Sequence, residues 1–315
     1  MNLNKSKPAS GVASVQRVFP FMKYKWYFIG VSLFFILFSF WSMATKGFNW
    51  GVDFLGGIKL IYQFGGPVGE GKIRDQLGEM NLGDAQVVRF GEAKQNQYLI
   101  KVKSQEGRSL TDEITSKLQA VDPTLALISE ENVGPKVGAE LRKRGVMAVI
   151  LTWVLILVYI GIRFDFLFAP GAIVALIHDI VIPMGFFSFL GIEFNLPILA
   201  ALLTIIGYST NDTIVIYDRV RENLRKLPSS IPLEEVIDRS VTETMSRTIV
   251  TSLTVFFVMF VLFFMGGAVL HDFAFCMLLG VLFGTYSTIF IANPVYLALQ
   301  KFLPHLGMAR SVRKR

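Results

Sequence analysis

Cysteine is almost missing from this chain of 315 residues, and charge is scarce. The one cysteine, Cys276, lies within an apolar run, so neither an intrachain disulfide nor a cysteine-based metal site can form. It reads as a small packing residue. There is no His-Glu-x-x-His sequence for a zinc hydrolase. Tyr217-Asp218 resembles one half of an intramembrane aspartyl protease signature, but no Gly-x-Gly-Asp follows it. The turn glycines Gly65, Gly66, Gly69 and Gly71 have no following Lys-Ser or Lys-Thr, which removes ATP as a direct energy source. Charged residues make up 17% of the chain, against about a quarter in globular proteins. Hydrophobic residues make up 52%, and the mean hydropathy is +0.51. Such a chain is a membrane protein.

The basic excess, with an isoelectric point near 9.4, sits mainly in two tails. Lys5, Lys7, Arg17, Lys23 and Lys25 precede the first apolar run, and Lys301, Arg310, Arg313, Lys314 and Arg315 close the chain. Basic tails beside membrane spans set orientation and meet anionic lipid, so no nucleic-acid partner is expected.

The first apolar run, 26–44, covers about 28 Å as a helix, enough for the hydrocarbon core. Ser42-Met43-Ala44 looks like a signal-peptidase site, but the run is long for a signal segment and reads as a retained anchor. Five more runs follow at 146–162, 166–190, 196–217, 248–265 and 273–299. The expected architecture is therefore a multi-pass α-helical membrane protein with six transmembrane helices. Its divisions are a tail at 1–25, the first span, an outer domain at 45–145, a five-helix domain at 146–300 with a loop at 218–247, and a tail at 301–315. The lysines and arginines at span ends place both tails, Arg163 and the 218–247 loop in the cytoplasm. Arg142, Lys143 and Arg144 sit against that rule, on the outer side. After the breaker Pro228-Ser229-Ser230-Ile231-Pro232, residues 233–247 read as a helix lying on the membrane surface.

The outer segment alternates strand and helix signals. Strands are expected at 59–64, 86–90, 98–103 and 125–132, with helices at 68–80 and 109–121. The order β-α-β-β-α-β predicts an α+β ferredoxin-like domain. It has no histidine or cysteine, and its carboxylates are scattered. A binding or lever domain fits this better than an enzyme.

Ionisable groups inside spans are costly and ask for a reason. Asp212 lies about 8 Å inside its span, too short to reach the interface. Helical spacing puts Thr204, Tyr208, Asn211 and Asp212 on one polar stripe, with Ser209 at its margin. Two readings stand side by side: a carboxyl that exchanges a proton, or a structural hydrogen-bond cluster. Arg247, entering the fifth span from the same face, is either an interfacial anchor or a counter-charge for Asp212. His178-Asp179, mid-span, is either part of a relay or an interhelical contact, and His271-Asp272 lies at an exposed outer end. Neighbouring helical positions diverge by about 100°, so the first pair is not expected to bind metal. Gly280 and Gly284 form a small-residue packing stripe without chemistry.

Three stretches resemble the SecF family of the SecD/SecF proteins, within the resistance-nodulation-division (RND) superfamily. They are Phe48-Asn49-Trp50-Gly51-Val52-Asp53-Phe54-Leu55-Gly56-Gly57, Val133-Gly134-Pro135-Lys136-Val137-Gly138 and Ile206-Gly207-Tyr208-Ser209-Thr210-Asn211-Asp212-Thr213-Ile214-Val215. Asp218-Arg219-Val220-Arg221-Glu222-Asn223 and Arg247-Thr248 are similar to the same family's loop and fifth span. The resemblance implies half of an RND-type transporter in the bacterial inner membrane. It implies pairing with SecD and work beside the SecYEG translocon on unfolded preprotein, with YidC and YajC as further candidate partners. It also implies a proton or sodium gradient as the drive, no cofactor, a proton-carrying role for Asp212, a functional role for Arg247, and a motif around Asp53 that opens the outer domain. A non-transducing scaffold and half of a small-molecule exporter are the alternatives.

Overall fold

A computed structural model describes residues 18–91, 95–103, 110–164 and 166–302. A short 3-10 turn, Phe21–Tyr24, leads into α1 (Lys25–Lys46). Then come α2 (Val52–Leu55), β1 (Gly57–Gln63), α3 (Glu70–Glu79), β2 (Gln86–Phe90), β3 (Gln97–Lys103), α4 (Leu110–Gln119) and β4 (Ala126–Val133). The rest is helical: α5 (Pro135–Arg163), α6 (Phe168–Leu190), α7 (Leu196–Lys226), α8 (Leu233–Met265), α9 (Gly267–Ser287), a π-helical turn (Thr288–Ala292) and α10 (Asn293–Phe302). Among the described residues, six helical stretches are long and apolar enough to cross a membrane, the last running through α9, the π-turn and α10.

The four expected strands and two helices of the α+β domain are all present, with ends within two residues for the strands. Residue 109, the expected start of the second helix, lies outside the described residues. The sheet order is β2-β3-β1-β4 with antiparallel neighbours, which is the ferredoxin-like order. Alternation explains the core. Ile58, Leu60 and Tyr62 of β1 join Tyr98, Ile100 and Val102 of β3 beneath Ile73 and Leu77 of α3 and Ile114 and Leu118 of α4.

A small turn locks the domain's far end. Asp122 accepts hydrogen bonds from the Thr124 amide (2.9 Å), the Thr124 hydroxyl (2.5 Å) and the Gly65 amide (2.7 Å). These bonds, the Thr124 hydroxyl's first, hold the Asp122 carboxyl below the ordinary aspartate value of 3.8. A lowered folded-state value adds stability that is complete above 3.8 and is lost as pH falls through the folded value. Asp122→Asn should therefore loosen this turn at neutral pH and flatten its acid sensitivity below pH 3.8. Amide exchange at Gly65 across an acid series checks this; parallel curves for mutant and wild type would refute it.

In the bundle, α6, α7 and the last span are well buried, whereas α1, α5 and α8 expose most of their membrane-crossing surface. The buried face of α1 is made of serines. Ser32, Ser39 and Ser42 turn inward while Leu33, Phe34, Leu37 and Trp41 point out. Small residues let α1 approach α6 closely, with Ser42 donating to Ser188 Oγ (3.1 Å) and Ser188 to the Gly47 carbonyl (2.7 Å).

α7 and α8 are about 46 Å and 50 Å long, well beyond a hydrocarbon core of about 30 Å. The surplus forms a helical hairpin at the end of the bundle away from the sheet. Here the structure corrects the sequence reading: residues 233–247 are no separate surface helix but the first turns of α8. Their apolar face meets protein instead of lipid, since Val236, Ile237 and Val241 pack with Val220 and Leu224 of α7. Asn223 Nδ2 donates to Ser240 Oγ (3.0 Å), and Asp238 Oδ1 accepts from the Met22 amide (2.8 Å).

Candidate functional site

The polar residues of α7 do not share one face. Thr204, Gly207 and Asn211 are exposed, while Ser209, Asp212 and Thr213 point into the bundle. The expected single stripe is thus split, because helical spacing groups neighbours without saying which side packs. Tyr208 is half-buried and donates to Ser252 Oγ of α8 (2.8 Å), which in turn contacts Thr285 Oγ1 of α9 (2.7 Å). Ser209, expected at the margin, is fully buried and turned toward α6.

Asp212 is 2% exposed, and its Oδ2 has no hydrogen-bond partner among the described residues. Arg247 is exposed on α8, and the two form no ion pair within hydrogen-bonding reach. That oxygen is buried without a fixed donor. Either protonation or a small approach by a cation would satisfy it.

Asp179 is the opposite case. Its Oδ2 accepts from Ser209 Oγ of α7 (2.5 Å) and Ser287 Oγ of α9 (2.9 Å), and its Oδ1 meets His178 Nδ1 (2.9 Å). The other ring nitrogen, His178 Nε2, meets Ser32 Oγ of α1 (3.1 Å). Ser32 also contacts the Tyr286 hydroxyl, which donates to the Phe28 carbonyl (2.6 Å). Adjacent residues on one helix thus do meet, because both side chains curl toward the same seam between α1, α7 and α9. Gly284 lies against this network: a Cβ there would be in ordinary contact with Ser209 Cβ (3.4 Å) and Asp179 Oδ2 (3.5 Å). Its partner Gly280 packs on Ile205, as a small-residue stripe should.

Sequence reasoning passed over Ser32, Tyr286 and Ser287, which complete this network. The available signal was the spacing of Ser32, Ser39 and Ser42, which repeats on one side of an otherwise apolar helix. Asp179→Leu removes the acceptor of Ser209 and the partner of His178 in a buried site, leaving Ser287 only the Gly284 carbonyl (3.1 Å), and should lower stability by about 3 kcal/mol or more. Asp179→Asn, which keeps an acceptor, should cost less than half of that. Thermal unfolding in detergent separates them, and a wild-type melting temperature for the Leu variant would discount the network. Among the described residues no three His, Cys, Asp or Glu side chains converge as metal ligands would. His271 and Asp272 contact each other at 3.1 Å on the exposed surface.

A second site joins the sheet to the bundle. Asp53 is 3% exposed, paired with Lys59 Nζ (2.5 Å), and accepts from the Leu196 amide at the start of α7 (3.0 Å). Phe54 enters the membrane-side cluster with Leu176, Ile180 and Phe194. Gly51 N donates to the Phe194 carbonyl (2.9 Å), Phe194 N to the Asn49 carbonyl (2.7 Å), and Lys101 pairs with Glu193. Gly56 adopts φ +86°, and a Cβ on it would lie 2.7 Å from Pro135 Cα. A Cβ on Gly138 would lie 2.9 Å from Gly56 N. Gly57 continues the chain into β1, and Gly134 caps α5. The motifs around Asp53 and Pro135, distant in sequence, are two sides of one tight crossing.

Residues 113–302 match the family model described as protein export membrane protein SecD/SecF, C-terminal, and residues 41–68 match the SecD/SecF GG motif. The protein translocase subunit SecF of Vibrio alginolyticus is 40% identical over 297 residues, 94% of each chain. That of Desulfurispirillum indicum is 41% identical over 298 residues, covering 91% of this chain and 94% of its own. A crystal structure of SecDF, a translocon-associated membrane protein from Thermus thermophilus, is 36% identical with a TM-score of 0.77, covering 90% of this chain and 39% of that one. A SecDF structure in the super-membrane-facing form is 34% identical with a TM-score of 0.71, covering 96% and 41%. The chain thus spans about two-fifths of the SecDF chains and nearly the full length of its SecF relatives. The chain belongs to the SecD/SecF family of protein export membrane proteins, as a SecF subunit.

Proposed function

We propose that this subunit pairs with a SecD half in the bacterial inner membrane and uses a proton or sodium gradient to help move unfolded preprotein out of the SecYEG channel. The observation that carries the reading is Asp212: a carboxylate 2% exposed, inside a membrane helix, with one oxygen left unpartnered. A charge there is expensive. Its protonation therefore changes how α7 packs, and α7 begins at the Asp53 joint under the sheet. The energy is delivered as movement of the α+β domain, without a cofactor and without bond-making chemistry.

Two features support the pairing. Asn211 stands exposed on the outside of α7 on the same side as Thr204 and Gly207, and polar groups at membrane depth face protein or water. SecD is the partner we assign to it; YidC and YajC join at the level of the larger translocase. The lysines and arginines at the span ends support a cytoplasmic location for both termini.

The test is export into vesicles containing the translocase and both subunits, with the gradient present or collapsed by ionophore. Stimulation that disappears on collapse supports the reading, and replacing the pH gradient by a sodium gradient identifies the ion. Stimulation that persists without any gradient would make the subunit a scaffold. Transport of a small ligand without translocase association would make it half of an exporter.

A further inference from the structure

A groove of about 590 Å³ runs along the outside of the bundle between α1, α6 and α10. That volume lies within the range of about 300–1,000 Å³ typical of small-molecule sites. One end is basic: Lys25 at the first position of α1 and Lys301 near the end of α10, with Trp26 beside them. Glu234 is the one acid there, paired with Lys25 at 2.6 Å and itself exposed. Beyond this end the walls are hydrocarbon, with Ile29, Leu33 and Ile36 on one side and Val295 and Ala298 on the other. Pro294, the second residue of α10, lines it too, and the floor reaches Ser32 and His178.

Its length is informative. From Lys25 to Ile36 is about 16 Å along α1, close to half of a hydrocarbon core of about 30 Å. A channel one leaflet deep, cationic at the membrane surface and apolar to the midplane, has the polarity of a single phospholipid with an anionic head. A packed helix from another subunit would need no charge at one end alone. We propose that the groove holds one acyl chain of an anionic phospholipid from the leaflet at the Lys25 end, with its phosphate held by Lys25 and Lys301. A chain seated there covers the edge of His178 with hydrocarbon. The lipid thereby keeps water from entering the Asp179 network sideways.

The experiment uses the full chain, delipidated in mild detergent and titrated with phosphatidylglycerol or phosphatidylcholine under native mass spectrometry. Wild type should retain phosphatidylglycerol with a preference of about tenfold or more over phosphatidylcholine. Lys25→Gln with Lys301→Gln should bring the two lipids to near equality. Glu234→Gln, which breaks the ion pair but leaves both lysines, should keep the preference. Val295→Trp, which fills the groove, should lose both lipids, with Leu33→Trp as the substitute from the opposite wall should it fail to fold. Equal binding of the two lipids to wild type, or an unchanged preference in the double lysine variant, would overturn the proposal. So would co-purified partner subunits that exclude lipid from the groove.

Discussion

Asp212→Asn should yield a folded subunit that still binds its partner and no longer responds to a gradient. The substitution keeps shape and volume and removes only the ionisation. The fold should still form without the charge, since Oδ2 has no hydrogen-bond donor to lose, while the packing of α7 no longer shifts with protonation. The melting temperature should move by no more than a few degrees. The drive is another matter. One charge crossing about 100 mV carries about 2.3 kcal/mol, enough to bias a two-state element roughly fifty-fold. With no proton to carry, the gradient-dependent part of export in vesicles should fall by at least about tenfold. Export at the wild-type rate under a pH gradient would show that the carboxylate is structural after all. Arg247→Lys serves as the companion: full activity there would reduce Arg247 to a generic positive charge, whereas a partial loss would mean its planar geometry is used.

Gly138→Val should strongly destabilise the membrane–sheet joint. The nearest atoms to an added Cβ are all backbone: Gly56 N at 2.9 Å, and Phe54 C and O at 3.0 Å each. No side chain can swing away to relieve the overlap, so α2 has to move. Phe54 then leaves its cluster, and the Asp53 contacts with Lys59 and Leu196 weaken together. A loss of about 3 kcal/mol or more is expected, in line with overpacking combined with a broken buried polar contact. Gly134→Ala is the internal control, because nothing lies within 4 Å of an added Cβ and its backbone is ordinary extended chain. It should stay within about 0.5 kcal/mol of wild type. Thermal unfolding together with trypsin sensitivity of the α+β domain measures both. Equal behaviour of the two variants would mean that the crossing has room for a side chain at Gly138.

Much of this architecture is legible in the chain itself. Six long apolar runs require helices, because a membrane leaves backbone groups no other partner. The order of strand and helix signals in the α+β domain leads to the observed sheet, since alternating Ile58, Leu60 and Tyr62 can bury only one face. What the sequence hides is which side of a helix packs. Ser32, Ser39 and Ser42 look incidental in a run dominated by Phe and Leu, yet in a bilayer the small polar side is the inner one. The same ambiguity put Ser209 at the edge of the α7 stripe when it is at the centre of the Asp179 network. The segment 233–247 misleads differently. Its charges suit a membrane surface, and only the matching face of α7 reveals that its apolar residues already have a protein partner.

The α7 helix has one more implication. It runs without a break from Leu196, whose amide is held by Asp53, past Asp212 to Lys226. Sixteen residues, about 24 Å, separate its first residue from the carboxylate. A helix of this kind is stiff along its axis, so a sliding step of even an ångström at Asp212 arrives at the root of the sheet undiminished. Proteins that join a motor to its load by a flexible linker lose such small strokes as slack; here the stroke would be delivered through a solid rod.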